Sequence, residues 1–308
     1  MIATITLNPS VDKRYQVAEV VKGRVIRADK VENTAGGKGL NVSRVICLLG
    51  EQVIASGFLG GRTGDFIAEQ LKLLGVENRF VRIQGETRSC LAIISRDGAQ
   101  TEVLEPGPFV KQDELAEWLA VYDKLLSQCS YICASGSMPS NLPPGLYREL
   151  IEKAREKQVR FLLDTSGKSL QAGIEGGPFL VKPNLDELEM LAGKPVRHKE
   201  AVLEQIDYLQ SKGISCVAVS LGREGAVVGI GDKRYQVIVP GVEAINPVGS
   251  GDSFVAGFVV GLQRGYTDKA LLAFSCACGT ANAMEPGTGV VNPDTVTKLL
   301  KDIRVVDL

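Results

Sequence analysis

Histidine is nearly missing from this sequence. His198 is the only one in 308 residues, set in the polar run Lys194-Pro-Val-Arg-His-Lys-Glu and read here as a solvated loop residue. Zinc centres recruit several imidazole or thiolate ligands, so a nitrogen- or sulfur-built metal site is not expected, and no nucleophilic triad stands out in the sequence. The seven cysteines are an odd count, and Cys47, Cys133, Cys216, Cys276 and Cys278 lie in apolar surroundings. That reads as buried, reduced thiols in a cytoplasmic protein rather than a disulfide scaffold. Neither Cys129/Cys133 nor Cys276/Cys278 has the C-x-x-C spacing of a redox pair. Net charge is almost nil, 35 Lys and Arg against 36 Asp and Glu, leaving no broad positive field for nucleic acid or acidic lipid. No apolar run reaches the ~18–20 residues of a membrane-spanning helix. The amino terminus, MIATITLNPSVDK, meets its first basic residue only at position 13 and reads as an opening strand, not a signal peptide. Two nucleotide fingerprints are missing too. The nearest match to a G-x-x-x-x-G-K-[ST] loop, Ala35-Gly36-Gly37-Lys38-Gly39, has Gly after the Lys, and the opening strand runs into Asn8-Pro9-Ser10 instead of a glycine-rich dinucleotide turn.

With 44% hydrophobic and 23% charged residues the chain is an ordinary globular one, long enough for a single large domain over 1–308. Short apolar runs at Ile2–Leu7, Val53–Phe58, Tyr131–Ala134, Arg160–Asp164, Phe179–Lys182 and Cys216–Ser220 alternate with segments of helical period. These are helices opening near Gly39 and covering Thr63–Leu74, Pro144–Gln158, Leu185–Leu191 and Lys199–Lys212, with a helical last third at Asp252–Arg264, Thr267–Met284 and Pro293–Lys301. The pattern predicts an α/β fold with a mostly parallel central sheet buried on both faces. Two stretches, Tyr15–Val31 and Arg88–Leu104, alternate polar and apolar instead, with Asp97-Gly98 as a hairpin turn. They predict a small projecting sheet, a lid built from segments about 12–34 and 85–106.

The strongest chemical signal is Asn246-Pro-Val-Gly-Ser-Gly-Asp-Ser-Phe. Gly249, Ser250 and Gly251 precede an acid and an apolar helix. First-turn amides of a helix lack intrahelical acceptors and lie at its positive end, so small residues there form an anion hole with Asp252 beside it. Asp252 as a plain helix cap is the simpler alternative. Gly36-Gly37-Lys38-Gly39-Leu-Asn41 is a second glycine-rich turn before a helix, and Asp12 and Asn41 have the donors and acceptors to bracket a polyol. Asn184 and Glu187 follow another strand, as a capping box, as a pair steering hydrated magnesium, or as both. Ser220, Gly222 and Gly225 could cradle a nucleotide backbone or merely turn the chain, and Ser137 could donate to a ligand oxygen. Arg27 and Arg88 lie on the projecting segments, either simply exposed or placed to grip a phosphate. Two anion sites, a poised acid and polyol ligands are what phosphoryl transfer from a nucleotide to a sugar hydroxyl requires.

Over essentially its whole length the chain resembles the ribokinase-like, PfkB-type carbohydrate kinases. The residues that carry the likeness are N-P-S-V-D at 8–12, G-G-K-G-L-N at 36–41, G-S-M-P at 136–139, K-P-N-L-D-E at 182–187, S-L-G-R-E-G at 220–225 and N-P-V-G-S-G-D-S at 246–253. The resemblance implies Asp252 as catalytic base, Gly249–Gly251 as anion hole, Asn184 and Glu187 as the water-mediated Mg2+ pair, and the segment around Asn282 near the adenine of ATP. Within the family, G-E-T-R-S-C at 85–90 and T-E-V-L-E-P-G-P at 101–108 are similar to the hexose-phosphate branch, nearer its tagatose-6-phosphate type than its fructose-1-phosphate type. That implies ATP-dependent phosphorylation of the 1-hydroxyl of a ketohexose 6-phosphate, with the lid as a dimer contact. Fructose 1-phosphate as acceptor, or a sugar- or nucleotide-binding protein without turnover, are the alternatives.

Overall fold

Buried on both faces, the short apolar runs assemble into one eleven-stranded sheet. The computed structural model describes all residues, Met1 to Leu308. In chain order the elements are β1 (Ile2–Thr6), β2 (Ser10–Val17), β3 (Ala28–Gly36), α1 (Lys38–Leu48), β4 (Val53–Gly60), α2 (Gly61–Leu73), β5 (Glu77–Asn78), β6 (Val81–Ile83), β7 (Arg88–Ser95) and β8 (Gln100–Leu104). Then follow α3 (Gln112–Gln128), β9 (Tyr131–Ser135), α4 (Leu146–Glu156), β10 (Arg160–Asp164), α5 (Gly167–Ile174), β11 (Leu180–Val181), α6 (Leu185–Ala192), α7 (Lys199–Ser211) and β12 (Cys216–Ser220). The chain closes with β13 (Ala226–Ile230), β14 (Lys233–Ile238), α8 (Ser250–Gln263), α9 (Asp268–Ala283), α10 (Pro293–Leu299) and β15 (Arg304–Asp307). None of these helices is long and apolar enough to cross a membrane.

The main sheet runs β15-β14-β13-β12-β11-β10-β9-β1-β4-β5, with β6 also on β4. From β12 through β5 the pairings are parallel, and β12 to β15 are antiparallel. Side chains on a strand alternate between faces. Along β12, Cys216 and Ala218 accordingly join a core of 40 buried residues under α1, α2, α8 and α9, while Val217 and Val219 join one of 36 under α3, α4, α6 and α7. Neither face is wet, which is why the strands read as continuous apolar runs.

The two alternating segments form a separate four-stranded sheet, β3-β2-β7-β8. Its turn at Asp97-Gly98 is closed by Gly98 donating to the Ser95 carbonyl, with Gly98 at φ +85°. β8 is exposed throughout and β3 for most of its length. Three features go beyond the sequence expectations. α3 fills the long interval before β9, with Trp118, Tyr122 and Leu125 fully buried. α5 lies between β10 and β11, and the antiparallel β13–β15 ladder closes one edge.

From β1 the sheet grows one way to β4 and the other way to β9. Open parallel sheets bind ligands outside the carboxyl ends of strands where the order diverges in this way. Across that crevice the Asn8 amide after β1 donates to the Ser137 hydroxyl after β9, at 3.2 Å.

Candidate active site

α8 is apolar nearly all round and buried from Asp252 to Gly261, and packing against α9 and α1 aims its amino terminus at the crevice. Its N-cap, Gly249, has φ +87°, and a Cβ there would come within 2.7 Å of the Gly289 amide nitrogen, so only glycine fits. The Ser250 amide bonds the Pro247 carbonyl and the Ser253 amide bonds Gly249. The amides of Gly249, Gly251 and Asp252 have no acceptor in the protein and lie at the positive end of the helix dipole.

Asp252 is 5% exposed, and its carboxylate takes one hydrogen bond, from the Asn41 side chain of α1 at 2.8 Å. Burial pushes the Asp252 carboxyl up to about 7, with the Asp164 charge adding to it and Lys38, Asn41 and Lys182 acting against it. An isolated aspartate ionises near 3.9; here the acid is held in the range where a carboxylate competes for an alcohol proton as phosphorus–oxygen bonding proceeds.

Two residues with no role in the sequence expectations complete this centre. Asp164, the last residue of β10, is 2% exposed and takes Lys38 at 3.2 Å on Oδ1 and Lys182 at 3.5 Å on Oδ2. Burial would raise its carboxyl, but Lys182 and Lys38 outweigh that and hold it below the usual carboxylate range. Lys38 is raised in turn, mainly by Asp164, so it stays an ammonium. Lys182 is 6% exposed, and its Nζ would stand 3.0 Å from a Cβ placed on Gly251. Lys182 therefore lies at the start of α8, and it shares the Asp164 carboxylate with Lys38. An acid closing a buried parallel strand, and the Lys of K-P-N immediately past another strand end, were the available signals for both.

On the other side of Asp252 stand the groups expected to bracket a polyol. The Asp12 carboxyl fills the space where Gly36 lacks a side chain: a Cβ there would lie 2.1 Å from Cγ of Asp12. Burial raises the Asp12 carboxyl, while the Ser10 hydroxyl at 2.7 Å, Arg88 and Arg44 partly offset this. Arg88 sits at the root of the small sheet, where it pairs with Ser10 in the ladder, and its guanidinium holds the Asn8 and Glu105 carbonyls, each at 3.1 Å. Its buried Nε has no partner. Ser137 is exposed at the crevice mouth.

Arg27 is not brought to this cluster. It is exposed, one residue before Ala28, which pairs with Val17. That is the far end of the β2–β3 ladder, seven residues or roughly 23 Å of strand beyond Ser10.

Asn184 and Glu187 form a full reciprocal capping box: the Glu187 amide donates to Asn184 Oδ1 at 2.8 Å, and the Asn184 amide to Glu187 Oε2 at 2.9 Å. The second Glu187 oxygen, Oε1, makes no bond within the protein, and Asp164 Oδ2 has only the long ion pair to Lys182 at 3.5 Å. No group of three acidic, Cys or His side chains could hold a metal alone. A magnesium ion that keeps waters and rides on ligand phosphates fits that donor set. Next to Asn184, which bridges Ser220, Gly222 (φ +59°) and Gly225 (φ +87°) shape a tight turn closed by Leu221 donating to Gly225.

Asn282 on α9 is fully buried and spends its amide on the chain. Nδ2 donates to the Val248 carbonyl at 2.9 Å, while Oδ1 accepts from the Gly289 amide at 2.8 Å and from Ser253 Oγ at 3.2 Å. It staples the 246–250 loop to the 289–290 loop.

The model of the pfkB family of carbohydrate kinases matches residues 3–295. The tagatose-6-phosphate kinase of Staphylococcus epidermidis RP62A is 41% identical over 315 aligned residues that span all of both chains. Among solved structures, phosphofructokinase-2 of Escherichia coli in complex with potassium superposes with a TM-score of 0.92 at 28% identity, over 98% of each chain. A Thermotoga maritima protein described as a possible 1-phosphofructokinase does so with a TM-score of 0.89 at 25% identity, over 100% of this chain and 99% of that one.

Proposed function

Because this chain belongs to the pfkB family of carbohydrate kinases, we propose that it transfers the terminal phosphoryl group of ATP to the 1-hydroxyl of a ketohexose 6-phosphate. D-Tagatose 6-phosphate is the acceptor best supported, giving D-tagatose 1,6-bisphosphate, because the 41% identity to the staphylococcal enzyme runs end to end. The observation that carries the reaction class is the buried Asp252, hydrogen-bonded only by Asn41, beside three unpartnered amides at a helix start.

The free amides of Gly249, Gly251 and Asp252, with Ser250 between them, stabilise charge as it develops on the phosphoryl oxygens, and Lys38 and Lys182 neutralise it from the flank. Asp252 accepts the proton of the attacking hydroxyl. Asp12, Asn41 and the backbone of Gly36 and Gly37 orient the sugar, Ser137 closes the crevice, and Arg88 at the lid root faces the phosphate that the acceptor already carries. The turn at Ser220, Gly222 and Gly225 supports the nucleotide from the far strand end, with Asn282 fixing the loops on its other side. Magnesium, steered through water by Asn184 and Glu187, would neutralise nucleotide phosphates. Arg27 would reach a ligand only through a large lid movement or in an assembly of two chains. Val25, Val31, Val103 and Leu104 are exposed on the lid, and a second copy of the chain is the partner we propose for that face.

Fructose 1-phosphate is the second reading, supported by the likeness to the Thermotoga protein; it would use the same machinery with the sugar reversed. A coupled assay on tagatose 6-phosphate, fructose 6-phosphate and fructose 1-phosphate separates these. The highest kcat/KM is expected for tagatose 6-phosphate, and a far higher value for fructose 1-phosphate would overturn the choice. Absence of turnover on all three would favour a binding protein, a role for which a buried base serves no purpose.

A further inference from the structure

Asn41 is the only hydrogen-bond donor to Asp252, and Arg44, one helical turn along α1, is the only donor to Asn41 Oδ1, at 2.9 Å. The two bonds form a chain without redundancy. A side-chain amide can flip and exchange its oxygen and nitrogen. Flipped, Asn41 would set an acceptor against Asp252 Oδ2 where a donor now stands at 2.8 Å. The Arg44 guanidinium prevents this because its other contacts hold it still: Nη1 also donates to the Thr288 carbonyl at 2.9 Å, and Nη2 donates to the Ala35 carbonyl. Ala35 is the last residue but one of β3, next to Gly36 and paired with Val11, whereas Thr288 belongs to the loop stapled to the anion hole by Asn282. A lysine could not reach these three acceptors in one plane.

We infer that Arg44 is a positioning residue for phosphoryl transfer, fixing the Asn41 amide so that Asp252 keeps one oxygen bonded and the other open to the acceptor hydroxyl. Its bonds to the Ala35 and Thr288 carbonyls serve this one task, holding the guanidinium still behind the Asn41 amide. The charged groups around Asp252 are Asp164, Lys38 and Lys182, and those around Arg44 are Asp12 and Asp252. Arg44→Lys leaves all of these charges in place and removes only the fork.

The inference rests on the kinase reading and is tested by a double-mutant cycle of Arg44→Lys, Asn41→Ala and both together, with kcat and both KM values measured on the full chain. Arg44→Lys should lower kcat about tenfold or more and change the KM for ATP less than about twofold, and it should cost nothing further once Asn41 is alanine. Losses that multiply in the double variant would overturn the proposal, because Arg44 would then act independently of Asn41. Should Arg44→Lys fail to fold, NMR of the wild type decides. The Asp252 carboxyl, Asn41 amide and Arg44 guanidinium signals should titrate with one common midpoint, and that step should vanish from Asn41 and Arg44 in Asp252→Asn; Asn41 and Arg44 signals that stay still while the Asp252 carboxyl titrates overturn the chain of contacts. That readout needs no substrate. A wild type inactive on every sugar phosphate would therefore sink the kinase reading alone, while an active wild type with independent losses would sink only this inference.

Discussion

Asp252 has to be buried enough to be a base and still be ionised when the acceptor arrives. Because its carboxyl titrates at about 7, kcat/KM should climb as pH rises through that value and level off above it, checked by a pH–rate profile; a flat profile from pH 5 to 9 would contradict the assignment. Asp252→Asn should lower kcat by about 10²–10⁴ while leaving ATP affinity, read by calorimetry, nearly unchanged. The same residue gives a stability prediction. Its folded pKa lies above the unfolded one, so the native state holds the extra proton and this group's contribution to stability declines as pH rises from about 4 to 7. Asp252→Asn removes that penalty and should melt higher than wild type at pH 8, on the order of 4 kcal/mol, with the gap narrowing at pH 5 and closing near pH 4; equal melting at pH 8 and pH 4 would show that the carboxylate is not desolvated. Asp252 and the small residues before it were readable in the sequence because a helix start with three small residues is a local pattern. Asp164, Lys182 and Arg44 were not, since each acquires its role from a partner on another element that only the fold brings close: Lys38 for Asp164, Asp164 for Lys182 and the Thr288 carbonyl for Arg44. Arg27 shows the converse: a charge on the expected segment says nothing about which end of the ladder it occupies.

At the scale of elements, two helix starts meet, α1 with the sugar-side groups and α8 with the anion hole, and glycine serves each differently. Gly36→Ala would push against the far end of the Asp12 side chain, which can swing aside. It should fold normally and raise the KM for the sugar phosphate severalfold. Gly249→Ala meets backbone at 2.7 Å with φ +87° and should lose at least about 1–3 kcal/mol in chemical denaturation along with most turnover. Equal behaviour of the two variants would mean that the two glycine turns are not distinct in role. Strand and helix positions followed well from periodicity because doubly buried strands and one-sided helices have different periods. The interval before β9 was the exception. Leu115, Trp118, Leu119, Tyr122, Leu125 and Leu126 carry the helical spacing of α3, but the segment directly follows the alternating stretch of the small sheet, which blurs where the period changes. The β13–β15 ladder lacks chemical landmarks, and pairing partners such as Tyr235 and Asp307 are too distant in sequence to be inferred.

For the whole molecule, the small sheet, which we propose to be a lid, stands on the crevice through Arg88 and through Arg14, which donates to the Pro286 carbonyl at 3.2 Å. A closing lid excludes water from the transferring group. Hydrogen exchange at residues 88–104 should slow when sugar phosphate and a non-hydrolysable ATP analogue bind together; unchanged exchange would remove the lid from the mechanism. The central claim is that the amides from Gly249 to Asp252 hold the phosphoryl group while the Asp252 carboxylate faces the acceptor. A crystal structure of the chain with tagatose 6-phosphate and that analogue tests it most directly. The account predicts a carboxylate oxygen of Asp252 within about 3 Å of the 1-hydroxyl and the terminal phosphate on those amides; a carboxylate turned away from the hydroxyl, or a terminal phosphate bound elsewhere, would contradict it.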